Sequence, residues 1–354
     1  MRARETSAPR GEPGARGVLA TDALFPPLVC PLDQAPLEER AGALVCRDSH
    51  SFPVRGGVPR LVCGDGAYAD AFGEQWNTYR TTQLDSFTRT TISRDRLARC
   101  LGEALWQALD GDRPLDVLEA GCGAGRFTEA LLERPAARVT STDLSSAVDA
   151  NAANCPPSAR HRVVQCDLQR FPFAPESFDV VVCLGVVQHT PDPEASMACL
   201  YHQVKPGGWL VLDHYAPSLA HYTKLTALAL RPVLKRLPPK LGRAATERLT
   251  RLFFPLHRLV RRRPLLRMAV SRVSPLLTYY HAYPQLDHGQ QFEWALVDTH
   301  DSLTDYYKHL RTAPQVAAAL DRLGAVERWV ATGGNGVEAR CRKPPRAESL
   351  EPRA

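Results

Sequence analysis

Leu118-Glu119-Ala120-Gly121-Cys122-Gly123-Ala124-Gly125-Arg126 constrains the fold more than any other stretch of this 354-residue chain. A short apolar run enters three glycines at alternate positions, and a run of helical spacing, Arg126 to Leu132, leaves them. Glycine lets the main chain turn sharply and lets a ligand lie against bare backbone. Alone, such a triplet suits a tight strand-to-helix turn as well as a binding loop.

The surroundings extend the pattern. Apolar, Val- and Leu-rich runs at 116–121, 138–144, 161–168, 178–186 and 208–215 each read as a buried strand, with helical spacing between several of them, as at 127–133 and 195–204. Alternation of this kind predicts an α/β fold, a parallel sheet with helices on both faces. The hydrophobic fraction of 44% supplies a core and excludes wholesale disorder.

Three features specify the ligand of the loop. The spacing G-x-G-x-G, with Arg at 126, lacks the third glycine of the dinucleotide fingerprint. Glu119 precedes the first glycine, where an acid repels pyrophosphate and suits a cationic group. Asp143 and Asp167 close the next two strands, and a carboxylate at the end of the second strand suits ribose hydroxyls. A nucleoside without phosphates and with a positive appendage fits, and S-adenosylmethionine answers that description.

From about Leu115 to Tyr215 the sequence resembles the class I S-adenosylmethionine-dependent methyltransferases. VLEAGCGAGRFTEAL matches their first motif, STDLSSA the second-strand acid, CDLQRFPFAPESFDVVVCLGVVQHTPDP the third and fourth strands, and VKPGGWLVLDHY the turn and fifth strand. The resemblance implies a Rossmann-like seven-stranded sheet with the cofactor across the carboxyl ends of the strands. It places Glu119 at the methionine part, Gly121, Cys122, Gly123 and Gly125 around it, Asp143 on the ribose, Leu144 on adenine and Asp167 and Leu168 at the adenine edge. Leu184 and Gly185 would lie beside the methionine part. The motif of Asn or Asp followed by Pro-Pro-Tyr is missing, which argues against methylation of adenine or glutamine amino groups.

Upstream, residues 28–64 resemble a small β module of the Trm112 type, a zinc ribbon whose metal-binding form carries C-x-x-C twice. Asp33 and Ser49 stand where that form has its second cysteines. Loss of the metal is therefore the expectation, with Cys30, Asp33, Cys46 and His50 as the set that would hold zinc if it were kept. Residues 65–112 read as a mainly helical segment. In methyltransferases with this N-terminal block, such a segment folds over the cofactor, which makes Gln75, Trp76, Tyr79 and Asp85 lid candidates; aromatic faces also attract a sulfonium.

The expected units are an arm (1–27), the β module (28–64), the lid segment (65–112), a methyltransferase core (113–215), a basic helical cap insertion (216–290), the C-terminal part of the core (291–343) and a tail (344–354). Lys224 to Arg272 holds fourteen Lys or Arg and one acid, a net +13 in a chain of net +6, so the remainder carries −7. The helical spacing of Leu249, Leu252, Phe253, Leu256, Leu259 and Val260 predicts an apolar face buried on the domain, kinked at Pro255. A cap over the substrate is preferred to peripheral membrane contact through 224–272, and nucleic acid is not an expected partner, since stacking aromatics are few.

Methyl transfer needs alignment of the nucleophile, and a base only where the acceptor keeps its proton. His189 is the base candidate; the competing reading has it order the loop. His214, Tyr215, Tyr280, Tyr283 and Trp294, with His281 and Asp298, are the candidates for shaping an acceptor pocket. The sequence predicts a methyltransferase acting on O, N or C of a small, amphipathic or anionic metabolite. RNA or protein methylation and a non-catalytic cofactor-binding subunit are the alternatives. Ten cysteines without C-x-x-C, no apolar run of spanning length and no signal-peptide pattern predict a cytoplasmic protein.

Overall fold

The computed structural model describes residues 24–64 and 66–346; the expected arm up to residue 23 and the tail from 347 lie outside the described residues. Four short strands come first: β1 (Glu38–Arg40), β2 (Ala43–Val45), β3 (Ser51–Arg55) and β4 (Val58–Leu61). Helices α1 (Asp70–Thr78), α2 (Ile92–Leu101) and α3 (Glu103–Ala108) lead to β5 (Leu115–Ala120). Then α4 (Arg126–Leu132), β6 (Ala137–Asp143), α5 (Ala147–Asn154), β7 (His161–Cys166), β8 (Phe178–Cys183), α6 (Pro193–Gln203) and β9 (Val204–His214) alternate.

These elements join one sheet, ordered β1-β2-β3-β4-β7-β6-β5-β8-β9-β11-β10, where β10 is Val326–Gly333 and β11 is Gly336–Arg342. The five strands from β7 to β9 are parallel, with Leu118 opposite both Thr140 and Val181. Every residue of β5 is buried, as expected for a strand covered on both faces. The period of two divides them: Val117 packs with Leu97, Leu101 and Phe127, whereas Leu118 packs with Met197 and Leu200. Burial of each such side chain is worth about 1.5–3 kcal/mol. The order reverses at β5, between β6 and β8, and in open α/β sheets such a switch point opens a crevice at the carboxyl ends.

The sheet has four more strands than the resemblance implies. β4 pairs in parallel with the edge strand β7, Leu61 opposite Cys166, and so adds the N-terminal module to the sheet. Phe25, inside the expected arm, is buried, and Arg162 donates to the Pro26 carbonyl at 2.9 Å. The lid segment also divides differently from the expectation. Leu97, Leu101 and Leu105 of α2 and α3 are buried in the core, and the cleft is faced by residues from Tyr68 to Leu84 and by Arg96 of α2.

After β9 come α7 (Leu219–Thr223), α8 (Leu225–Leu234), α9 (Pro239–Val260), α10 (Pro264–Val273) and α11 (His288–Thr304), before α12 (Ala313–Arg322) returns to the sheet. The expected boundary at 290 falls inside α11, which runs unbroken. Asp287 and Gln290 close a capping box at its start, each side chain accepting from the other's amide at 2.9 Å. The long helix α9 reverses the expected polarity. Its buried stripe is Gly242, Thr246, Thr250, Phe254, His257 and Val260, and Leu252 and Leu259 are 71% and 78% exposed. The buried stripe is small and polar because Thr246 meets His300 of α11 and His257 meets Ser274. No described helix is long and apolar enough to cross a membrane.

Candidate functional site

At the switch point the loop after β5 is tied down by main-chain bonds. The amides of Gly121 and Cys122 both donate to the Thr142 carbonyl, at 2.7 and 2.9 Å. Gly121 has φ +79°, and a Cβ there would lie 2.1 Å from a Val186 methyl, so only glycine fits. At Gly123 a Cβ would press on the Trp76 indole, 3.3 Å away. The loop and the ring thus lie side by side in the wall of a cavity of about 690 Å³, within the range of small-molecule sites.

Of the residues expected to bind the cofactor, Gly121, Cys122, Gly123, Asp143, Leu144, Asp167, Leu168, Leu184, Gly185 and Trp76 line this cavity. Asp143 is held by three donors: the Gly123 amide at 3.0 Å and the Ser145 amide and hydroxyl at 2.9 and 2.7 Å. Burial raises its pKa against those bonds. Asp167 accepts from the Gln169 amide at 2.9 Å.

Five expected residues lie off the wall. Glu119 points to the opposite side of β5 from Leu118 and Ala120, beneath the loop, and is 2% exposed. Its carboxyl accepts from Thr128 and Ser141, and burial pushes its pKa up to about 7 despite these bonds. It fastens β5 to α4 and β6 and does not line the cavity, and its Oε1 is buried without a hydrogen-bond partner among the described residues. Gly125 packs against Asn151 and Cys155 at the start of α4. The Tyr79 hydroxyl donates to Glu247 of α9 and joins the α1 end to the cap. Gln75 is buried away from the cavity, and Asp85 accepts from the Ser93 and Arg94 amides at the start of α2.

The acceptor candidates separate similarly. His189, Tyr215 and Asp298 line the cavity. His214 is buried in β9, its Nδ1 3.0 Å from the Tyr215 carbonyl. Trp294 is buried and donates to the Thr82 carbonyl at 2.9 Å, and Tyr283 packs on its edge at 4.7 Å. Tyr280 stacks on Phe254, 5.8 Å between centroids, and His281 is exposed. Tyr280, Tyr283 and Trp294 thus pack within the protein and do not line the cavity, whereas Tyr215 does.

What shapes the far half instead comes from the cap: Lys224, Leu228 and Arg231 of α8 and its start, Tyr279, and Asp298 and Asp301 of α11. Asp298, Asp301 and Asp305 recur at helical spacing, and together with the capping box at Asp287 this was the available sequence signal for a functional helix. Arg126 also lines the cavity, donating to Gln83 at 2.6 Å and Ser93 at 3.1 Å; it makes no ion pair among the described residues. Burial lowers its pKa, and Arg96 nearby adds to this.

His189 sits where the two halves meet. Its ring packs edge-on against Tyr215 at 5.2 Å and beside Phe72 at 5.1 Å. Nδ1 lies 3.2 Å from the Tyr307 carbonyl and 3.3 Å from Asp305, and Nε2, without a hydrogen-bond partner, is 3.9 Å from Asp301. Burial alone would depress its pKa, but the Asp301 and Asp305 carboxylates outweigh that and raise it. Asp301 is itself pushed up by burial to about 6. Asp305 is also paired with Arg231 at 2.9 Å and Lys308 at 3.2 Å.

Residues 118–212 match the methyltransferase domain family. The ubiquinone biosynthesis O-methyltransferase of Leptothrix cholodnii is 33% identical over 134 residues, 37% of this chain and 55% of that one. The protein of the same name from Idiomarina loihiensis is 38% identical over 100 residues, 26% and 39% of the two chains. The chain thus spans about half or less of the length of these curated relatives. Among solved structures, a putative S-adenosyl-L-methionine-dependent methyltransferase from Methanococcus maripaludis aligns over 81% of this chain and 98% of its own, at 13% identity and a TM-score of 0.42.

Proposed function

We propose that the protein is an S-adenosylmethionine-dependent methyltransferase that methylates a small amphipathic acceptor held beneath its cap. One observation carries this: a single cavity runs from the glycine loop, with Asp143 and Asp167, to a chamber walled by α8 and α11. When bound, the cofactor supplies a methyl group already activated by a sulfonium. Asp143 and Asp167 would hold the adenosine part and Leu144 and Leu168 its base, with Trp76 beside the loop. Arg126, a buried guanidinium without an ion pair among the described residues, suits a ligand carboxylate. The name of the curated relatives supports oxygen as the acceptor atom. Neutral His189 would take the hydroxyl proton at Nε2, with Asp301 stabilising the imidazolium so formed. The chamber mixes Leu228, Leu277 and Leu310 with Lys224 and Lys308, which fits an apolar body with an anionic or hydroxyl end.

The outer side of the cap supports delivery of that acceptor from an anionic lipid surface. Leu225, Leu252, Leu259 and Leu265 are 70–78% exposed among the arginines of α8 to α10, a pairing suited to acyl chains and anionic headgroups. Calorimetry with S-adenosylmethionine and transfer of labelled methyl into low-mass product test the activity; tight binding of NADH instead would refute it. Salt-sensitive co-sedimentation with vesicles containing anionic lipid, lost in Leu252→Glu/Leu259→Glu, tests the surface, and absence of binding at low salt removes it.

A further inference from the structure

The N-terminal module carries a second cluster of chemistry, remote in role from the cavity. Cys30 Sγ, Asp33 Oδ2, Cys46 Sγ and His50 Nδ1 converge, each ligand atom within 4.8 Å of all the others. His50 Nδ1 is 3.5 Å from Cys30 Sγ, 3.3 Å from Cys46 Sγ and 3.2 Å from Asp33 Oδ2, and Cys46 Sγ is 3.2 Å from the same carboxylate oxygen. Hydrogen bonding does not account for this. A ring nitrogen offers one N–H or one lone pair, and here it faces three partners at once. The distances are instead those between neighbouring corners of a zinc tetrahedron. Bonds of about 2.0–2.3 Å to O, N and S place such corners about 3.3–3.8 Å apart.

Two turns of related design present the four groups. The Cys30 carbonyl accepts from the Gln34 amide at 2.8 Å, and the Cys46 carbonyl from the Ser49 amide at 3.0 Å. Gln34 and Ser49 have φ of 59° and 63°, so each chain doubles back to aim Asp33 and His50 at the cysteines. The cysteines are buried, whereas Asp33 and His50 remain partly exposed, leaving a path for an ion to enter.

We propose that Cys30, Asp33, Cys46 and His50 bind one Zn2+, reversing the expectation of metal loss. Two thiolates and an imidazole favour zinc over calcium or magnesium. His50 takes over a position offset by one residue from the missing second cysteine, and Asp33 stands in the place of the other. Such a staple would add to the packing of Leu37, Leu44, Phe52 and Leu61 in the core that the module shares with the sheet. Four strands of three to five residues bury few large side chains of their own, and modules below about 40 residues usually depend on metals or cross-links. The metal would join the turn before β1 to the turn between β2 and β3, and so hold β4 against β7.

Elemental analysis of the full-length, untagged protein from zinc-supplemented medium tests this, together with cobalt exchange. The expected results are one zinc per chain, a Co2+ spectrum with thiolate charge-transfer and intense tetrahedral bands, and loss of both in Cys46→Ser and His50→Ala. Asp33→Cys should keep the metal and strengthen the charge-transfer band. Calorimetric binding of S-adenosylmethionine to the same samples reports the core separately from the module. Zinc below a tenth per chain with no thiolate–Co2+ band overturns the proposal. So does a stoichiometry that Cys46→Ser and His50→Ala leave unchanged.

Discussion

The amide of Gly123 donates to the carboxylate of Asp143 at 3.0 Å, which ties the loop after β5 to the end of β6. One oxygen of Asp143 therefore positions the loop that the ligand lies on, beside its expected role toward the ribose. Asp143→Ala removes both functions and leaves the amide unpaired. Calorimetry should find S-adenosylmethionine affinity reduced tenfold to a hundredfold, about 1.5–3 kcal/mol. Unchanged affinity would remove Asp143 from the site.

Gly121 gives a sharper steric test. A methyl group there meets Val186 at 2.1 Å and keeps the chain at a φ of +79°. Gly121→Ala should lose cofactor binding and lower Tm. Adding Val186→Ala relieves the clash but not the backbone strain, so it should restore binding in part. Equal loss in the single and double variants would show that contact with Val186 is not what excludes a side chain.

The fold was legible because its strands are continuous apolar runs that keep one register across a buried sheet. Asp143 was legible because a strand end is a fixed place. Glu119 sits off the cavity wall, which the sequence does not show: next to a turn it leaves open which face of β5 a residue takes, and the period of two sends this one under the loop. The cap resisted reading for another reason. On α9 the buried stripe is Thr246, Thr250 and His257 and the exposed one is leucine, so the hydrophobic pattern pointed outward. Polar pairing with α11 decides which stripe faces in, and single-helix periodicity holds no record of a partner helix.

Arg96 and Asp213 form a buried ion pair behind the loop after β8, and the second oxygen of Asp213 accepts from the Gly185 amide at 2.6 Å. Asp213→Ala strands the guanidinium and frees the amide. A loss of about 3–5 kcal/mol is expected in denaturant unfolding, with weaker cofactor binding because Gly185 lines the cavity. A change below about 1 kcal/mol would mean that solvent reaches the pair.

Acid should loosen the cap, whose helix contacts rest on buried histidines; His161 of β7 and His214 of β9 are depressed as well, but sit among the fully covered strands of the sheet. His257 and His300 are buried and neutral, both depressed by burial to about 4 from the usual 6.5. Above pH 6.5 folded and open states are both neutral and the two groups contribute no pH dependence. As pH falls from 6.5 toward 4, the open state takes up protons that the closed state refuses, and stability is lost. For His300 the loss is at most about 3 kcal/mol. Limited proteolysis and hydrogen exchange at pH 7.5 and 5 should show α9 and α11 opening at the lower pH while β5 to β9 stay protected. Protection of the cap equal to that of the sheet at pH 5 would contradict this.

His189 makes the most direct prediction about chemistry. In the proposed role as base the neutral imidazole is the active form, and Asp301 and Asp305 hold its pKa above the usual 6.5. At low pH the ring is protonated and cannot accept the acceptor's proton. The value of kcat/KM should therefore climb with pH and level off only above an apparent pKa higher than 6.5. Asp301→Asn removes one carboxylate 3.9 Å from Nε2, so the rising limb should move to lower pH. His189→Gln should lower kcat by about 10²–10⁴-fold and flatten the profile, with cofactor affinity unchanged. If the limb stays in place in Asp301→Asn, the titrating group is not His189. If His189→Gln keeps a wild-type kcat, the imidazole only orders its loop against Tyr307.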